Sequence, residues 1–397
     1  MRGSGSSEQR STAPDDPKRI RTSQDGDWRS VPTGEERDDR AQAPPEEMPR
    51  VRFTRRRLLA SILFVVSTAA FLYFVLPKLL GLKETWNRIQ TGNVWWLALA
   101  ALLEILSFLG YIALFRAVFV RGRSQIDWRE SYEITMAGLA ATRLFASAGA
   151  GGVALTAWAL RRSGLEPRIV ACRMIAFMAL LYAVYMGALV IDGLGLYLGV
   201  IPGSHPFAIT VIPAIFGGAV IAIFLAVSLL PGDFDRLVAR WTSGGRLVRL
   251  AGYLAAAPAA AASGVRTAID LVRGRDPYLL GAIAWWGFDI SVLWASFHAF
   301  GDAPSGGVIV MSYFVGMLGN VLPLPGGIGG VDGGMIGAFI AFGVNAPVVV
   351  VAVLVYRAFA FWLPTVPGAI AYVQLRRRVA GWAAGGAALD AVGTAHA

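Results

Sequence analysis

Six long apolar runs, at about 58 to 80, 94 to 120, 168 to 200, 207 to 230, 278 to 300 and 348 to 375, recur along the sequence. Each is near or above the roughly 20 residues a helix needs to cross a hydrocarbon core about 30 Å thick. A spanning backbone must satisfy its own polar groups, so runs of this kind fold as helices. With 55% hydrophobic and only 16% charged residues, the chain reads as an integral membrane protein. The net charge of +10 does not point to nucleic acid, because the arginines lie between apolar runs rather than on one face.

Two further apolar stretches, about 131 to 160 and 305 to 343, are interrupted by glycine. The first carries ASAGAGG at 146 to 152, with Gly149, Gly151 and Gly152 as its expected turn. The second carries NVLPLPGGIGGVDGG at 320 to 334, where Pro323, Pro325, Gly326, Gly327 and Gly329 form the expected turn. Proline removes a backbone donor and clashes with the preceding turn, and each glycine costs about 1 kcal/mol of helix propensity. A break of this kind at membrane depth survives only where protein or a water-filled cavity surrounds it.

Arginine distribution favours treating both stretches as re-entrant pairs of half-helices. The connections at 121 to 130, 161 to 167 and 231 to 277 and the C-terminal end then share one side, with seven arginines between Arg236 and Arg275 alone. That bias marks the side as cytoplasmic. The expected fold is an all-α polytopic membrane protein with about six spanning helices plus two re-entrant segments, or eight spans if both are counted. The alternative is ordinary helices packed through small residues, since Gly326, Gly330 and Gly334, and Gly329, Gly333 and Gly337, are spaced as small-xxx-small. That alternative leaves Pro323 and Pro325 unexplained.

Residues 1–57 read as a disordered tail, rich in Ser, Pro, Asp, Glu and Arg, ending in Arg50, Arg52, Arg55, Arg56 and Arg57. This cluster suits an anionic membrane surface and places the N-terminus in the cytoplasm. No cleavable signal peptide is expected, because more than fifty polar residues precede the first apolar run. A transmembrane domain over 58–378 is followed by an expected flexible tail at 379–397. The connection 231–277 carries two amphipathic sets, Phe234, Leu237, Val238 and Trp241, then Val265, Ile269 and Val272, each suited either to the interface or to a solvated elbow. One cysteine, Cys172, and three scattered histidines offer neither an internal disulfide nor metal-ligand spacing, so no metal or cofactor is expected.

A charge at the centre of a spanning helix costs roughly 2.5 to 3.5 kcal/mol on insertion scales, so such residues mark function or pairing. Arg116, Arg173 and Asp192 lie near run ends, where snorkelling to the interface accounts for them. Glu104, Arg143, Asp289, Asp332 and Arg357 are more central and, with Asn320 at the start of the second break, form the candidate substrate site. The arginines and carboxylates are expected to neutralise one another when the site is empty, and an anionic headgroup to displace a carboxylate from an arginine. A static salt bridge holding the bundle together is the competing expectation.

The LPLPGGIGGVD run, together with ASAGAGGVALTAWALRRSGLEPR at 146 to 168, resembles the transmembrane region of the lysylphosphatidylglycerol synthase family, also called flippase-like or UPF0104, over about 58 to 378. Pro323, Pro325, Gly326, Gly327 and Gly329 match the family turn, and Asp332 stands where relatives typically carry glutamate. The first stretch lacks the proline frequent in relatives. The resemblance implies a bacterial inner-membrane protein that binds phospholipid or a polyprenyl-linked lipid and, in the best-understood relatives, moves an aminoacylated phospholipid between leaflets. Full-length synthases append an aminoacyl-transferase domain, so aminoacyl transfer is not expected here. The leading expectation is a lipid flippase or transporter of lipid-linked anionic substrates, and not an enzyme. The alternatives are a membrane glycosyltransferase using a polyprenyl-phosphate sugar, with Asp233 and Asp235 as its D-x-D, and a non-transporting lipid-binding envelope accessory protein.

Overall fold

The computed structural model describes residues 92–120, 126–144, 150–229, 246–301, 303–321 and 327–394, and every regular element among them is helical. The helices are α1 (Val94–Phe119), α2 (Trp128–Leu144), α3 (Ala150–Arg162), α4 (Pro167–Tyr197), α5 (Phe207–Ser228), α6 (Arg246–Arg273), α7 (Gly281–Phe300), α8 (Gly306–Met317), α9 (Gly330–Ala341), α10 (Ala346–Arg357) and α11 (Leu363–Thr394). A 3₁₀ turn at Pro277–Leu280 precedes α7, and a π turn at Ala358–Trp362 joins α10 to α11.

Five segments among the described residues are long and apolar enough to span: Val94–Phe119, Pro167–Tyr197, Phe207–Ser228, Pro277–Phe300 and Ala346–Arg378. They match five of the six expected runs; the run at 58 to 80, the tail at 1–57 and the first amphipathic set lie outside the described residues. Apolar side chains face outward along these helices, as a lipid solvent allows. On α5, Ile212, Ile215, Phe216, Ile223 and Leu225 are all exposed, while Tyr313, Tyr356, Phe115, Phe297 and Phe339 fill the interior.

Helix α1 packs most extensively on α7, and the pair is antiparallel, with Asn93 N–H donating to Ala299 O at one end (2.9 Å) and Ser107 Oγ to Trp285 O nearer the other (2.9 Å). Close approach comes from Gly110 and Gly281, where any Cβ would collide with the opposing backbone. Helices α7 and α8 are tied to α4 by Trp286 Nε1 donating to Leu181 O (2.8 Å) and Tyr185 OH to Phe314 O (2.7 Å). Arg378 bridges α11 to α2 through Glu133 (2.9 Å) and Glu130 (3.4 Å).

Both interrupted stretches are hairpins of short helices. Helices α8 and α9 have 12 residues each, about 18 Å at 1.5 Å per residue, too short for a core of about 30 Å. They fold back on each other, with Gly316 against Gly334 and Met335 and Gly319 against Gly330. In the first hairpin Gly138 faces Gly152 and Thr156, and Thr142 faces Gly152. Small-residue packing and the break therefore coexist: Gly330 and Gly334 hold the hairpin closed, while Gly333 and Gly337 face open space.

Three expectations are corrected. Gly151 and Gly152 lie in the first turn of α3 rather than in the connection, and Gly152 serves close packing instead of reversal. The second amphipathic set lies on α6, which packs on α4 and α5; Val265 is buried there while Val272 is exposed, so part of that apolar face is spent on protein. Residues 379–394 continue α11 as helix instead of beginning a tail, consistent with the high propensity of the alanines there.

Candidate functional site

The hairpins enter the bundle from opposite ends. Near the open end of the first, Arg116 of α1 donates to Ser131 Oγ of α2 (3.0 Å), and Arg173, early in α4, donates to Phe119 O (3.0 Å). Both ends of the second meet the loop at the other end of α4: Ser204 Oγ donates to Phe342 O (2.6 Å), and Gly203 lies against Ser305 and Val308. The described residues nearest the two breaks therefore lie on the inner sides of the two hairpins. Between them is a cavity of about 520 Å³, lined from the first hairpin by Thr142, Arg143 and Gly152 and from the second by Asn320 and Gly327. That volume falls within the range of about 300 to 1,000 Å³ usual for ligand pockets.

Of the six expected substrate-site residues, Arg143, Asp289, Asn320 and Arg357 line the cavity, and Glu104 and Asp332 stand behind them. The second turn is set by Gly327 (φ +66°) and Gly329 (φ +87°), left-handed conformations that favour glycine. Asn320 packs its side-chain oxygen against Gly327. Pro323, Pro325, Gly326 and Gly149 lie outside the described residues, as do Asp233 and Asp235.

The expected charge network divides in two. Arg357 Nε is ion-paired with Asp332 Oδ1, and Asp332 Oδ2 accepts from Gly329 N–H (2.8 Å), so this pair fixes α9 to α10 and closes the turn. Asp289 Oδ2 accepts from the Tyr313 hydroxyl of α8 and from Tyr356 OH of α10 (2.9 Å). The Glu104 carboxyl of α1 faces Asp289 across the antiparallel α1–α7 pair, and its buried Oε2 has no hydrogen-bond partner among the described residues.

Arg143 departs from expectation. Its guanidinium lies between the rings of Phe108 (5.6 Å) and Phe361 (5.7 Å), and no carboxylate among the described residues comes within 4.0 Å of it. Glu104 and Asp289 act on it through space without an ion pair. A cation held by two aromatic faces and lining a cavity leaves its hydrogen-bonding fork for another group. The residues missed by the sequence reading are Tyr313, Tyr356, Phe108 and Phe361. Tyr356 beside Arg357 was a readable signal; Phe361 was not, because the π turn that aims it is invisible in the apolar pattern.

Asp192 does not snorkel. It is 7% exposed, faces Gly307 at the start of α8, and its Oδ2 has no hydrogen-bond partner among the described residues. No group of three metal-ligating side chains occurs among the described residues.

Helical spans and two opposed short hairpins with a cavity between them define a multi-pass membrane protein. The chain belongs to the lysylphosphatidylglycerol synthase TM region family, which it matches over residues 58–368. It is also 33% identical over 112 residues to a UPF0104 membrane protein of Methanothermobacter thermautotrophicus, a match covering 27% of this chain and 32% of the relative. The matched segment thus spans about a third of that relative's length.

Proposed function

We propose that the protein is a flippase, or a transporter of lipid-linked anionic substrates, whose cavity receives the headgroup while the acyl chains stay in the bilayer. The observation that carries this reading is Arg143, a cation without a carboxylate partner among the described residues, lining a largely apolar cavity that also presents Asp289, Asn320 and Arg357. The bilayer centre opposes passage of a charged headgroup, and a site that replaces its hydration lowers that barrier. Two hairpins entering from opposite ends suit alternating access, since each can open toward one leaflet. The reading assigns binding and passage to the cavity, not bond making. It places the protein in a bacterial inner membrane with both termini cytoplasmic, supported by the arginine-rich connections on one side.

The test uses the full chain in liposomes containing fluorescent phosphatidylglycerol, with an impermeant quencher reporting leaflet exchange. Faster exchange than in protein-free vesicles, lost in Arg143→Ala, is expected. Absence of exchange together with sugar transfer from a polyprenyl donor would replace this reading with the glycosyltransferase. Retained lipid with neither activity would leave a lipid-binding accessory protein.

A further inference from the structure

The buried charges near the cavity balance only if a proton is present. Arg143 and Arg357 contribute two positive charges; Glu104, Asp289 and Asp332 would contribute three negative ones if all were ionised. Asp332 is matched by Arg357. Glu104 and Asp289, 3% and 6% exposed, face each other across the antiparallel α1–α7 pair, whose register is set by Ser107 on Trp285 and Gly110 on Gly281, and two buried carboxyl groups that meet do so by sharing a hydrogen. Like charges this close cannot both be ionised. With one shared proton the carboxyl pair carries a single negative charge, and Arg143 offsets it.

An anionic headgroup bound at Arg143 upsets this balance by one charge. Uncompensated charge buried among apolar helices is costly, so neutrality is restored most directly at the carboxyl pair. The groups facing the pair are Tyr313 from α8, Tyr356 and Arg357 from α10 and Arg143 from α2. The tyrosines already donate to Asp289 Oδ2, and Arg357 is held by Asp332, so neither supplies the missing positive charge. Glu104 Oε2, buried and without a partner among the described residues, has a lone pair open to the added proton.

We propose that the Glu104–Asp289 pair is a proton-binding site that takes up one proton when an anionic phosphodiester headgroup binds Arg143, so that the lipid anion and a proton travel together. The second proton comes from the medium and converts the singly protonated pair into two neutral acids; no other bond is made or broken. This deepens the lipid-transport reading and rests on it.

The experiment is calorimetric titration of the detergent-solubilised full chain with dihexanoyl-phosphatidylglycerol, at neutral pH, in two buffers of different ionisation enthalpy. About one proton taken up per lipid bound is expected, falling to about zero in Glu104→Gln and Asp289→Asn. Wild-type binding without proton uptake overturns the proposal, as does uptake that persists in both variants; the wild-type measurement decides even if a variant fails to fold. A parallel titration with diethyl phosphate, which does not titrate near neutral pH, separates a lipid headgroup from a free phosphodiester. Equal proton-linked binding of both supports the proton site with a soluble anion as its source. No binding of either anion by the wild type removes the anionic-substrate reading, and the proposal with it.

Discussion

Asp332 uses one carboxylate oxygen to cap the Gly329 N–H and the other to hold the Arg357 guanidinium, so the second turn and the start of the π turn are fixed by a single side chain. Its own side chain is 2% exposed and that of Arg357 11%. Removing one partner of such a pair leaves an uncompensated buried charge, a cost of about 3 to 5 kcal/mol. Asp332→Ala is expected to lower the melting temperature in detergent sharply. Asp332→Ala combined with Arg357→Met is expected to lower it less than the single change, which a double-mutant cycle measures.

Arg143 presents the opposite case. With no ion pair among the described residues, its replacement by alanine breaks no direct bond, and the carboxyl pair it offset can regain neutrality by taking up a proton, so at neutral pH the melting temperature should fall less than in Asp332→Ala. A charge-assisted hydrogen bond to an anion contributes about 1.5 to 3 kcal/mol, so phosphatidylglycerol affinity should fall by about 10- to 100-fold. Arg143→Lys should recover only part of this, because a lysine cannot offer the planar fork held between Phe108 and Phe361. Calorimetry and thermal melting on the same preparations separate the two effects.

Tyr356→Phe deletes one of the two hydroxyls that Asp289 Oδ2 accepts. A loss of about 1 to 3 kcal/mol is expected, with Asp289 retained by Tyr313. Removing Tyr313 and Tyr356 hydroxyls together should cost more than the sum of the separate losses, because Asp289 Oδ2 then has neither donor. Unfolding of the three variants in mixed micelles checks the non-additivity.

The α1–α7 crossing gives a steric test. Gly281→Val drives a side chain into the Gly110 backbone, and overpacking typically costs about 1 to 3 kcal/mol. Gly287→Ala, on the same helix with no atom within 4 Å of its added Cβ, should be neutral or slightly stabilising. The contrast in melting temperature between the two tests the register that sets Glu104 opposite Asp289.

Five spans and both hairpins were legible because membrane length and glycine or proline punctuation are local signals. Arg143, Asp289, Asn320 and Arg357, which line the cavity, stood out as candidates because charge or amide groups at bilayer depth are costly wherever they occur. Their pairing was not. Which carboxylate meets which arginine depends on helix register: Glu104 meets Asp289 because α1 and α7 are antiparallel and their close crossing is set by Gly110 and Gly281. Nothing in the apolar pattern of either run encodes that. Asp192 was misjudged because position near a run end says nothing about the α8 N-terminus that the fold brings beside it.

Since each short hairpin returns to the level from which it departed, its two flanks belong to one compartment. Asp127 and Ser163 bracket the first and Ser305 and Gly343 the second. Epitope tags or cysteine reporters placed at the two members of either couple should be accessible to the same impermeant reagent, and reporters on opposite couples to reagents added on opposite faces. A labelling map would then change sign only across the long helices.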